Sequence, residues 1–181
     1  MKLLCEPMSG LFLIKPQIIE DNRGSFFEVW NLNKQIENSG IQNKFVQENY
    51  SISKKNVIRG LGYQINRPQG KLVRVCNGKI YDVTVDLRQS SKTFGRWYAV
   101  ELSSENRYQL WIPPGFAHGF LVKSEIAEVA FSVTDYYVKE LDRCIIWNDM
   151  TLNIEWNLND TPIISSKDQL AASFVDAEYF K

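Results

Sequence analysis

Residues 71–87 read KLVRVCNGKIYDVTVDL, two strand-length runs meeting at Asn77-Gly78. Asn-Gly between such runs is a strong hairpin signal, because both residues tolerate the left-handed backbone of a tight turn. The second run alternates: Tyr81, Val83, Val85 and Leu87 fall on one face, and Ile80, Asp82, Thr84 and Asp86 on the other. The apolar face suits packing between sheets, while the polar face suits either solvent or a wet cavity. The stretch predicts antiparallel β structure.

The same texture continues on both sides. Upstream lie LFLIK (11–15), SFFEVW (25–30), KFVQENY (44–50) and NVIRGLGYQ (56–64). Downstream lie WYAVELS (97–103), YQLWIP (108–113), HGFLVKS (118–124) and IAEVAFSV (126–133). About ten short strands separated by turns are the pattern of a β-sandwich or barrel. Helical signals are few. NLNKQIENSG (31–40) opens on asparagine and closes on glycine, and SKDQLAASF (166–174) suits a C-terminal helix. The expectation is a single domain over residues 1–181, mostly β: a jelly roll with short peripheral helices.

Composition narrows the functions. In a chain of 181 residues, 21 basic and 21 acidic side chains cancel to zero net charge. Such a chain has no long-range attraction for polyphosphate, which argues against nucleic-acid and anionic-membrane partners. Any phosphate must be gripped by a few placed residues. A single histidine, His118, and three scattered cysteines provide neither a multi-histidine site nor a zinc-finger pair. Cysteines in no framework spacing, and an opening MKLLCEPMSG too weak for a signal peptide, suit the cytoplasm.

Several short segments are candidates for chemistry. WIPPGFAHGF (111–120) turns the chain at Pro113-Pro114-Gly115 and delivers His118 onto the next strand, on one face with Phe120 and Val122 and so pointing inward. Taken alone, His118 also fits a structural histidine satisfied by a backbone or carboxylate partner. DNRG (21–24) and VIRGLG (57–62) each set an arginine before glycine, where the fork of the guanidinium can grip phosphate. Strict alternation puts Arg59 and Gly62 on opposite faces, so both reach one pocket only through a bulge at Gly60 or Gly62. Lys71 opens a strand; there it is either solvated or, inside a pocket, placed to stabilise an enolate oxygen. TDYYV (134–138) fits either a ring on which a nucleobase can stack or ordinary edge-strand tyrosines.

In order, DNRGSFFEVW, FVQENYSISKKNVIRGLGYQ, QGKLVRVCNGKIYDVTVDLR, KTFGRWYAVELSSENRYQLWIPPGFAHGF, TDYY, IIWND, IEW and SKDQLAA resemble the dTDP-4-dehydrorhamnose 3,5-epimerase family, the RmlC-like cupins. The resemblance runs from about residue 10 to 172. It implies a homodimeric cupin jelly roll with a pocket for a deoxythymidine-diphosphate 4-keto-6-deoxy sugar, and no metal or organic cofactor. The family reaction is an isomerisation. A base removes the hydrogen beside the C4 ketone, an enolate forms, and an acid returns a proton to the opposite face. The resemblance carries substrate-binding roles to Arg23, Phe26, Glu28, Gln47, Asn49, Arg59, Asp82, Tyr137 and Lys167. It carries catalytic roles to Lys71 at the oxyanion, to His118, and to Asp168, which in the family orients the base.

Two positions depart from the family pattern. RGLGYQ places Gly62 where the family has its histidine base, and AFSVTDYY places Phe131 where it has its tyrosine donor, with Ser132 for the following lysine. Glycine cannot accept a proton and phenylalanine cannot donate one. A positioned general base contributes about 10²–10⁴ in rate. The leading reading is therefore an epimerase homologue whose full 3,5-activity is in question. The alternatives are a binding or partner protein without turnover, or a related enzyme with altered chemistry or a bulkier substrate in the space beside Gly62.

Overall fold

The computed structural model describes residues 1–31 and 44–181. Its strands are β1 (Lys2–Met8), β2 (Leu11–Lys15), β3 (Ile18–Asp21), β4 (Gly24–Phe27), β5 (Gln47–Lys54), β6 (Ile58–Gln64), β7 (Lys71–Asn77), β8 (Lys79–Asp86), β9 (Trp97–Ser103), β10 (Gln109–Ile112), β11 (Phe116–Val122), β12 (Ile126–Val133) and β13 (Asp142–Cys144). A six-stranded sheet in the order β1-β2-β10-β7-β12-β5 faces a five-stranded sheet in the order β13-β6-β11-β8-β9, and β3 and β4 form a separate hairpin. The pairs are antiparallel. The expected mostly-β jelly roll is what forms, as two open sheets. Among the described residues no helix is long and apolar enough to cross a membrane.

The Asn77-Gly78 turn is not a hairpin. β7 pairs with β10 and β12, whereas β8 pairs with β11 and β9, so the turn carries the chain from one sheet to the other. Both edges of each strand are already occupied, which leaves no ladder for the two to share. Gly78 makes the corner possible: its φ is +78°, and a Cβ there would lie 2.2 Å from the Ile126 carbonyl oxygen.

The two faces of β8 are also reversed from expectation. Ile80 packs between the sheets with Val73, Leu110, Phe120 and Val129, so Asp82, Thr84 and Asp86 share the interior face and are fully buried. Val83, Val85 and Leu87 instead face outward and are covered by Ile145, Leu152, Trp156 and Phe174 of the C-terminal segment. Burying each such side chain contributes about 1.5–3 kcal/mol. The apolar alternation therefore marks the face under that segment, and the polar face lines the inside of the sandwich.

Strands were missed where pattern is weak. β1 contains Pro7 and pairs only with β2, as an edge strand allows. SFFEVW is strand only to Phe27. The helix expected at 31–40 lies outside the described residues. The C-terminal helix is one turn, α1 (Ser166–Gln169), with the Ser165 side chain accepting a hydrogen bond from the Asp168 amide. It stops because the chain then bridges Ile145 through Ala172 and donates the Phe174 amide to Asp149 at 2.7 Å, burying the ring.

Candidate functional site

A cavity of about 410 Å³ opens at one end of the sandwich. β5 supplies Gln47 and Asn49, β6 supplies Arg59 and Gly62, and β7 supplies Lys71. β11 supplies His118, β12 the facing Phe131, and the C-terminal segment Tyr137, Lys167 and Asp168. Arg59 and Gly62 reach one cavity for the anticipated reason. Opposite β11 the register slips: His118 pairs Gly62, yet Phe120 pairs Arg59, leaving an extra residue on β6. Gly60 sits in this bulge with φ +101°, and a Cβ on it would lie 2.4 Å from the His118 carbonyl oxygen. Gly62 is different, because a Cβ there meets nothing closer than the Arg143 oxygen at 3.9 Å. The backbone at 62 permits a side chain, and the space beside it belongs to the cavity.

His118 Nε2 lies 2.8 Å from Asp82 Oδ2, with His118 7% exposed and Asp82 fully buried. The carboxylate partner of the structural reading is thus present, yet the ring also lines the cavity. Asp82 stands behind it rather than in the wall. Its second oxygen, Oδ1, is buried without a hydrogen-bond partner. Lys71 donates to the Gly62 carbonyl oxygen at 3.3 Å. Burial pulls the Lys71 ammonium down to about 8, against the opposing influence of Asp142 and then Asp82. Arg59 donates Nε to Ser53 Oγ at 2.9 Å and has no carboxylate partner among the described residues.

Asp142, which sequence reasoning missed, organises the rim. Its Oδ2 accepts from Tyr137 Oη at 3.0 Å and pairs with Lys167 Nζ. Burial works against the Lys167 charge, but the Asp142 hydrogen bond and charge outweigh it and raise the ammonium. Gln64 and Gln47 also hold the Tyr137 segment, accepting the amides of Val138 at 2.7 Å and Tyr137 at 3.2 Å. Cys144, likewise missed, lies opposite Gly62 and donates its thiol to Asp168 Oδ1 at 3.5 Å. Burial, then the Asp168 charge, pushes that thiol up to about 12. Asp168, expected to orient a base, accepts this thiol instead. The three-residue strand β13 carries no periodicity, so only pairing against β6 reveals these groups.

Besides Asp82, which backs His118 instead of meeting ligand, three expected ligand contacts are not in this cavity. Arg23, 85% exposed and paired with Asp21, and Phe26, 72% exposed, lie on the β3–β4 hairpin. Glu28 follows the hairpin and accepts from Asn31 at 2.9 Å. Ser132 points to the outer face, donating to Glu48 at 2.9 Å. Among the described residues no three His, Cys, Asp or Glu side chains are arranged to hold a metal ion.

Comparison with known proteins agrees with this architecture. The dTDP-4-dehydrorhamnose 3,5-epimerase family model matches residues 6–176. An enzyme of that name from Pseudomonas aeruginosa is 49% identical over 170 residues, covering 94% of each chain. The crystal structure of dTDP-4-dehydrorhamnose 3,5-epimerase from Elizabethkingia anophelis superposes with a TM-score of 0.93 at 42% identity, covering 99% of each chain. The Legionella pneumophila protein, solved in complex with dTDP-4-keto-L-rhamnose, gives a TM-score of 0.93 at 43% identity over 97% of this chain and 94% of that one. Matched along nearly its whole length in sequence and fold, the chain belongs to the dTDP-4-dehydrorhamnose 3,5-epimerase family.

Proposed function

We propose that the chain acts as one domain within a cytoplasmic homodimer, binds a deoxythymidine-diphosphate 4-keto-6-deoxy sugar in this cavity, and epimerises carbon beside the ketone without metal or organic cofactor. The carrying observation is a pair of cations at different depths of one cavity. Arg59, exposed and without an acid partner, suits the diphosphate, whose oxygens match the guanidinium fork. Lys71, deeper, suits the oxygen that becomes negative when the neighbouring carbon loses its proton. Tyr137, 52% exposed at the rim, offers its ring to the base, and Gln47, Asn49 and Lys167 offer polar contacts. The bound ligand of the Legionella relative supports the same substrate class. Arg23, Phe26 and Glu28 meet ligand only if the hairpin of one protomer reaches the cavity of its partner.

Incubation with dTDP-4-keto-6-deoxyglucose in D₂O, followed by NMR at C3 and C5, tests the reading. Deuterium incorporation above the protein-free control is expected at one or both carbons. Gly62 favours a second reading, binding without turnover, and saturable binding with no incorporation decides for it. Gly62→His with Phe131→Tyr is expected to raise epimerisation by about 10²-fold or more, since each restores a proton-transfer group. A double variant that binds ligand and gains nothing refutes this assignment of the missing groups.

A further inference from the structure

We propose that His118, held by Asp82, is the base that removes the proton beside the substrate ketone in this chain, and that Gly62 is what exposes it; this rests on the nucleotide-sugar reading above. His118 and Gly62 are cross-strand partners on β11 and β6. Directly opposed residues on one sheet face carry their Cβ atoms about 4.5–5.5 Å apart, so a side chain at 62 would stand against the imidazole. Glycine leaves that flank open, with nothing within 3.9 Å of where its Cβ would be. A sugar ring entering this space meets the histidine next.

The ring is set up as a base. Asp82 takes Nε2, which assigns the ring proton to Nε2 and leaves the Nδ1 lone pair as acceptor. Nδ1 has no hydrogen-bond partner among the described residues. Asp82, fully buried with Oδ1 unpartnered, stands directly behind the ring and fixes its orientation. It is a positioning residue, and its charge also acts on Lys71. In the step, Nδ1 takes the proton from C3 or C5. The C–H electron pair becomes the new C=C bond, and the carbonyl π pair moves onto O4, beside the Lys71 ammonium. Return from the imidazolium delivers a proton to the face it left. Phe131 on the facing wall has none to give, so exchange with retention is expected to outpace epimerisation.

Deuterium wash-in from D₂O into dTDP-4-keto-6-deoxyglucose, at saturating substrate, reads the step, with dTDP titration reporting binding. His118→Gln keeps an amide N–H for Asp82 but has no base. Gly62→Leu leaves the dyad intact and covers it. Both are expected to lose about 10²–10⁴-fold in incorporation while dTDP affinity stays within a few-fold, and Asp82→Asn to lower the incorporation rate without changing dTDP affinity. If His118→Gln misfolds, Gly62→Leu carries the test alone. Wild-type incorporation in a folded, dTDP-binding His118→Gln or Gly62→Leu variant overturns the inference and leaves the substrate reading standing. Binding without incorporation by the wild-type protein overturns the inference and the epimerase reading together and leaves binding without turnover, whereas no binding overturns the nucleotide-sugar reading itself.

Discussion

Lys71 answers two opposed demands. In the proposed reaction its charge stabilises an enolate, yet burial brings its ammonium down to about 8. Between that value and the usual lysine range the unfolded chain binds the extra proton, so stability rises with pH through this window and the charge costs stability below it. Lys71→Met is therefore expected to stabilise the fold at pH 7, on the order of 2–3 kcal/mol by urea unfolding, and to abolish wash-in. Its stabilising effect should vanish as the pH is raised above the lysine range; a destabilised variant at pH 7 refutes the buried-charge account. Lys71 and His118 stand in segments whose own pattern singles them out, Asp168 comes from the family resemblance, and all three line the cavity. Asp142 and Cys144 were not legible, since their meaning comes from a pairing with β6, about 80 positions earlier in the chain.

At the scale of one strand, β6 sets two glycines of opposite character two residues apart. Gly60 makes the bulge: its backbone is left-handed and a Cβ would press on the His118 carbonyl. Gly62 has neither constraint. Gly60→Ala should cost about 2–4 kcal/mol and Gly62→Ala less than about 1 in equilibrium unfolding, so the cavity can be reshaped at 62 without loss of fold. Equal costs at the two positions contradict the assigned bulge. The same contrast explains what periodicity could and could not tell. The alternation of β8 marks two faces. Which face turned inward depended on the C-terminal residues Trp156 and Phe174, whose docking over Val83 and Val85 leaves no trace in the strand itself. Asn77-Gly78 likewise marks a sharp turn, and only the occupied edges of β7 and β8 make it a crossing between sheets.

For the whole molecule, the cavity and the β3–β4 hairpin divide the expected ligand contacts between two surfaces of one chain. Arg23 and Phe26 are exposed away from Lys71 and Arg59, and a closed two-fold dimer is the simplest way to bring such separated groups onto one ligand. In the proposed dimer each site is composite: the cavity of one protomer and the hairpin of its partner. Arg23→Ala and Lys71→Met proteins should then each be inactive in wash-in, for different reasons. When the two are unfolded together and refolded as a mixture, half of the dimers are mixed. A mixed dimer holds one doubly altered site and one intact site, so about a quarter of all sites regain wild-type wash-in. If each hairpin served the cavity of its own chain, every site in the mixture would carry one defect and activity would stay at the level of the separate variants. Recovery to about a quarter thus reports both the dimer and the reach of the hairpin, and no recovery from refolded, dimeric mixtures refutes the composite site.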